Sequence, residues 1–169
     1  EVIVLMDRFG YTRAVDVATY ERNKEAADSE NKYVIRCLNT GKICIFTDTG
    51  KMHQVKVLDI PYGKFRDKGT PIDNICNYAS TEENMICICE EEQFTDSKLI
   101  FATKQGMIKK VDGSEFQVSK RTIAATKLQE DDEVISVQVI HGSQNVVLQT
   151  ENGYFLRFLS EEVSEKKKT

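Results

Sequence analysis

Four segments of this chain align on a glycine, and that repeat limits the fold more than any other feature. Val2–Val15 holds Gly10, Lys42–Val55 holds Gly50, Lys98–Val111 holds Gly106, and Asn145–Phe158 holds Gly153. In each segment a β-rich apolar run leads into polar or turn-tolerant residues and the glycine. A second run of mixed polar and apolar residues then closes the unit. Glycine supplies the positive φ that a tight turn between two strands needs, so the pattern is a β-hairpin signature. Positions 10, 50, 106 and 153 lie 40, 56 and 47 residues apart. Periods of about forty to fifty residues point to the blades of a propeller.

A second element recurs between the hairpins. After the third it reads Ser119–Leu128, then an acidic turn at Gln129–Glu133, then the alternating Val134–Ile140. After the second, Lys68–Ile72 and Met85–Cys89 fill the same places; after the first, only Tyr33–Leu38 is strand-like. Each unit therefore holds roughly four strands, the content of a propeller blade. No long stretch has helical period. Val15–Ala27 offers a helical turn at most, weakened by Asn23 and its polar neighbours. The expected fold is all-β and propeller-like, with four-stranded blades and units at about 1–40, 41–96, 97–144 and 145–163. That makes three units and one further hairpin. The charged tail, 164–169, is expected to fray, and Tyr154, Phe155 and Phe158 are expected in a blade core. A β-sandwich with chance-similar hairpins is the alternative.

Several function classes are disfavoured by composition. At 169 residues the chain can bury roughly two-thirds of its unfolded surface, so it needs no metal or disulfide to hold a core. Its longest apolar runs are far short of a membrane span. The five cysteines are odd in number and sit in runs such as Ile86–Cys89, where Cys behaves as a small hydrophobe in a reducing compartment. Cys87 and Cys89 would share a strand face, but His53 and His141 are the only histidines, so no zinc site is expected. No phosphate loop, nucleophile elbow or His-Glu metal motif is present, and His53 reads as a packing or surface residue. The strand-like start without a leader suggests a piece of a longer polypeptide.

The run Phe101–Val111 resembles the blade signature in the C-terminal domain of bacterial type IIA topoisomerase A subunits, those of DNA gyrase and topoisomerase IV. Arg8–Arg13 is similar to that domain's opening hairpin, Val55–Pro61 to the connection after its second, and Asn152–Phe158 with Ser160–Val163 to the fourth. The resemblance covers residues 1 to about 163. It implies a β-pinwheel, a disc whose neighbouring blades exchange strands, with duplex DNA bound around the rim and bent or guided there. It further implies two protein partners, the rest of the A subunit plus the ATPase B subunit, in a cytoplasmic, nucleoid-associated enzyme. ATP and Mg2+ would be used elsewhere in that enzyme, with no cofactor in this fragment and no membrane contact. Two departures stand out. The gyrase family's basic, glycine-rich box is replaced here by Thr19–Lys32, which lacks glycine and is more acidic than basic. The blades are also fewer than usual for the family.

The net charge of −4 argues against nucleic acid until its distribution is examined. Residues 42–68 hold six basic and three acidic side chains, or +3. Residues 98–127 hold seven against two, or +5. Acid is concentrated at residues 82–96, 130–133 and 161–165. Basic hairpins and acidic turns would thus be segregated, and hairpins facing the rim would make it basic and hold DNA to one path. The expected phosphate contacts are Arg8 and Arg13 in the first hairpin, Lys51 in the second, Lys104, Lys109 and Lys110 in the third, and Arg157 in the fourth. Loop clusters Lys64, Arg66, Lys68 and Lys120, Arg121 complete the set. Neighbours Lys109 and Lys110 point to opposite strand faces, so only one should meet DNA unless the strand is an edge. The other reading is a protein-interaction scaffold without DNA binding.

Overall fold

Each of the four glycines closes a β-hairpin in the computed structural model, which describes residues 1–169. The first hairpin is β1 (Val2–Asp7) and β2 (Tyr11–Asp16). Two short helices follow, α1 (Val17–Arg22) and α2 (Lys24–Glu30), then β3 (Asn31–Cys37). The second hairpin is β4 (Lys42–Thr47) and β5 (Lys51–Lys56), followed by β6 (Thr70–Pro71) and β7 (Met85–Glu90). The third is β8 (Lys98–Thr103) and β9 (Ile108–Asp112), followed by β10 (Thr122–Ala124) and β11 (Val134–Ile140). The fourth is β12 (Asn145–Gln149) and β13 (Phe155–Leu159).

The sheets cut across the sequence repeats. Blade one has the order β3-β1-β2-β6, blade two β10-β5-β4-β7, and blade three β11-β8-β9, while β12-β13 stands as a pair. Every hydrogen-bonded strand pair is antiparallel. The outermost strand of blade one, β6, comes from the second unit, and that of blade two, β10, comes from the third. This is the strand exchange expected of a pinwheel. β7 packs against both β3 and β11, which places these three strands innermost.

Continuous apolar runs arise because the inner strands are buried on both faces. In β4, Ile43 and Ile45 point to blade one and pack with Val2, Val4 and Met6. Cys44 and Phe46 point the other way, packing with Leu99, Phe101 and Phe116. The Phe46 ring meets Phe94, Phe101 and Phe116 edge-on at 6.0, 5.9 and 5.7 Å. The remaining face of blade one, Ile3, Leu5 and Val15, is covered by Tyr20 and Ala27 from the two helices. Here the sequence reading falls short, since it expects a helical turn at most. Asp16 caps α1 through the Thr19 amide at 2.7 Å, and each helix buries one apolar side chain on that face, with Val17 of α1 packed beside them.

Two further expectations are corrected. Tyr154 and Phe155 are 73% and 70% exposed, not core, because only one face of the fourth hairpin is partly covered. The tail does not fray: Lys166 N donates to Lys110 O at 2.8 Å, and Glu165 pairs in parallel with Lys110.

His53 is buried in a polar network that holds the exchanged strand. Its Nδ1 lies 2.9 Å from Thr122 Oγ1 on β10, and its Nε2 contacts the buried Glu83 carboxylate. Thr49 donates to the same carboxylate at 3.2 Å, and the Asn77 amide donates to Thr122 at 3.0 Å. Burial makes this a packing role, as expected for a histidine on a hairpin strand. Burial also raises the Cys37 and Cys44 thiols to about 11 and about 12.

Candidate nucleic-acid interface

The blade order decides which basic residues can share a surface. Since β6 and β10 are outermost, the hairpin turns lie at the ends of the blades and not on the outer edge. That corrects the picture of hairpins facing the rim. The outer edge is built by the exchanged strands and the segments leading into them.

In blade one that segment is the loop 61–69. Ala14 N donates to Pro61 O at 2.8 Å, and Gly63 N to Ala14 O at 3.1 Å, so the loop starts as an extra strand on β2. Phe65 turns inward, while Lys64, Arg66 and Lys68 remain exposed. Asp67 fixes the turn by accepting from Lys64 N at 2.8 Å. The Lys68 ammonium lies 4.1 Å from the centre of the Tyr11 ring, a cation–π contact that leaves its hydrogen-bond donors available. Three cations at alternate positions are thus held outward by an apolar anchor.

In blade two the corresponding residues are Lys120 and Arg121, just before β10, with Lys51 on β5 opposite Ala124. Gln54 Nε2 donates to Val118 O at 3.0 Å and to Lys120 O at 2.6 Å, and Gln54 N donates to Arg121 O at 2.7 Å. The backbone is pinned from below, and the three basic side chains are exposed. None of Lys51, Lys64, Arg66, Lys68, Lys120 and Arg121 is among the ion-paired residues of the protein.

Elsewhere the structure gives several of the expected contact residues partners within the chain. Arg13 is only 8% exposed; its guanidinium donates to Phe65 O at 3.1 Å and to Asn31 Oδ1 at 3.4 Å, and it stacks on the Phe65 ring. It braces loop 61–69 against the start of β3, with its donors turned inward. Lys104 is paired with Glu133 at 3.0 Å, which raises its pKa, and Gln105 N donates to Asp132 at 3.0 Å. The acidic turn therefore packs against the third hairpin, and the expected segregation of basic hairpins from acidic turns fails there. Lys109 donates to Lys168 O at 2.5 Å and Lys110 to Ser160 O at 3.0 Å, so both are tied to the chain's end. Burial also lowers the Lys109 pKa. Arg8 and Arg157 are exposed; Arg8 sits at a turn over the Phe9 ring, and Arg157 is on the fourth hairpin.

Sequence reasoning passes over Lys42 and Lys56, which lie far from the glycine turn and face each other across β4 and β5. Their fixed offsets from Gly50 are the available signal.

The C-terminal part of the chain, residues 97–141 and 144–169, matches the family model described as DNA gyrase C-terminal domain, beta-propeller. The A subunit of DNA gyrase from Lawsonia intracellularis is 33% identical over 96% of this chain and 21% of the relative. That of Neisseria gonorrhoeae is 30% identical over 94% of this chain and 18% of the relative. The chain thus spans about a fifth of the length of these relatives. Among solved structures, the C-terminal domain of a DNA topoisomerase IV superposes with a TM-score of 0.86 at 24% identity, over 99% of this chain and 54% of that one. The E. coli ParC C-terminal domain gives 0.78 at 16% identity, over 99% and 68%.

Proposed function

Because the chain belongs to the C-terminal β-pinwheel domains of bacterial gyrase and topoisomerase IV A subunits, we propose that it binds duplex DNA along its outer edge. It would guide the duplex for a type II topoisomerase that supercoils, relaxes or decatenates DNA. The observation that carries this reading is the set of six exposed cations without carboxylate partners: Lys64, Arg66 and Lys68 on blade one, and Lys51, Lys120 and Arg121 on blade two. Duplex DNA carries about one charge per 1.7 Å, so a local basic edge suffices even on an acidic chain. No recognition helix is available for a major groove, so the contacts are to phosphates and depend weakly on sequence. α1 and α2 stand where the basic box would be, with Glu21, Glu25 and Glu30 among their residues. This supports guiding the duplex over wrapping it tightly. The partners are duplex DNA, the remainder of the A subunit, plus the ATPase B subunit; ATP and Mg2+ act elsewhere in that assembly.

The test is a salt series of duplex binding followed by fluorescence anisotropy. The log–log slope should be near −0.9 per phosphate neutralised, and replacing Lys64, Arg66 and Lys68 by Ala should reduce its magnitude by up to about 2.7. No binding at low salt overturns the reading. The protein-scaffold alternative draws support from the exposed Val147, Phe155 and Leu159 on one face of the fourth hairpin.

A further inference from the structure

The repeat allows one place on the outer seam to be compared in three blades. Eight residues before each turn glycine and six after it, two side chains sit directly opposite across the hairpin. In blade one they are Val2 and Asp16, and in blade three Lys98 and Asp112. In blade two they are Lys42 and Lys56. Asp16 is used as the cap of α1. Lys98 is neutralised twice, by Asp112 at 2.5 Å and by Glu165 at 2.8 Å. Blade two instead sets two ammonium groups opposite each other, an arrangement that destabilises a sheet unless an anion lies nearby. Glu91 answers Lys42 at 3.2 Å, but Lys56 has no carboxylate partner.

Beside this pair is a cleft of about 250 Å3 lined by Lys42, Gln54, Lys56, Asp59, Ser119 and Arg121, with no apolar residue among them. It lies where the third unit's chain crosses onto blade two. Its cations come from three separate segments: the start of β4, the end of β5 and the approach to β10. Gln54 is 5% exposed, its amide nitrogen is held by two carbonyls, and its Oε1 makes no hydrogen bond within the protein. That oxygen is buried behind the wall and faces no guest, so the cleft's charge comes from the three cations set against the single carboxylate of Asp59.

We propose that this cleft is a seat for a single phosphate group, with Lys56 and Arg121 as its principal ligands and Lys42 in support. The phosphate chemistry follows from the cleft alone. That the phosphate belongs to a duplex on the outer edge rests on the function proposed above. In that setting the seat anchors the duplex at the second blade, between the Lys64–Lys68 loop and the third unit.

The experiment uses the whole chain and two probes. With duplex DNA, the Lys56→Ala/Arg121→Ala double variant should lose about 0.9 to 1.8 from the magnitude of the salt slope, for one or two phosphate charges, and bind several-fold more weakly. With inorganic phosphate, the 15N-resolved side-chain amide of Gln54 should shift saturably in the wild type and not in the variant. Both side chains are exposed, and Arg121 serves the ladder only through its backbone. Should the double variant misfold, Lys56→Gln gives the same comparison. Duplex binding with an unchanged slope and no phosphate shift overturns the seat and leaves the DNA reading intact. A saturable phosphate shift without any duplex binding does the reverse. A reduced slope without a phosphate shift assigns the seat to DNA phosphodiesters alone.

Discussion

Replacing Gly50 by Ala tests how much stability resides in strand exchange. Gly50 has φ +80°, a conformation that costs an L residue about 1–2 kcal/mol. Gly106 and Gly153 share that conformation, at +85° and +83°, and a Cβ added to either meets nothing within 4 Å. At Gly50 the same Cβ would lie 2.7 Å from Thr126 O, on the segment that has just crossed from the third unit. Both Ala125 N and Thr126 N donate to Gly50 O, at 2.8 and 3.2 Å. Relieving the clash means moving that segment and weakening both bonds, at about 1 kcal/mol each. Gly106→Ala should therefore cost about 1–2 kcal/mol and Gly50→Ala about 3–4. At about 2–4 °C per kcal/mol for a chain of this size, Tm falls by roughly 2–8 °C and 6–16 °C respectively. Urea and thermal unfolding give these values, and hydrogen exchange at Ala125 localises the loss. Equal losses for the two variants, with Ala125 still protected, would refute the argument that exchange stabilises blade two.

Arg13→Ala should destabilise the chain by about 2 kcal/mol, because Phe65 O and Asn31 Oδ1 lose their buried donor; the salt slope of duplex binding should not change. Asp112 is held at about 2, below its ordinary 3.8, by hydrogen bonds from Lys98 and Ser114. Its folded-state pKa is depressed, so its stabilisation is present above about pH 4 and lost as pH falls toward about 2. Asp112→Asn should accordingly cost less than about 1 kcal/mol at about pH 6 and nothing near about pH 2 in urea titrations, since the pair is solvent-screened. Cys37 and Cys44 are raised to about 11 and about 12 and are buried, so a disulfide reagent at about pH 8 should label them only after denaturation. Rapid labelling of either in the native protein contradicts their placement.

The hairpins are legible because a glycine at a turn is a backbone requirement, and the seams because β4 is apolar at every residue from Ile43 to Phe46. The exchanged strands are harder to see: Thr70–Pro71 and Thr122–Ala124 are too short to show a period, although both segments stand out as elements between hairpins. The helices escape notice because each contributes one buried side chain, Tyr20 or Ala27, and Asn23 interrupts them. In the interface, the loop clusters keep the exposure expected of them. Arg13 does not, because its cover, Phe65, lies 52 residues away in sequence. Lys104 departs from expectation for a similar reason: Glu133 reaches it from 29 residues downstream. Charge counted along the chain cannot register such pairings.

Borrowed edge strands also set a schedule for synthesis. β5 ends at Lys56, but its outer partner begins at Thr122, so blade two waits for a third unit to emerge before its edge is covered. At about 5–20 residues per second, the roughly 66 intervening residues take about 3–13 s. For that interval the nascent chain presents a row of unpaired amides and carbonyls, the template on which misassembly begins. Lys51 and Lys56 bracket that row, and repulsion between the ammonium groups of neighbouring nascent chains would keep two such edges apart until the proper strand arrives.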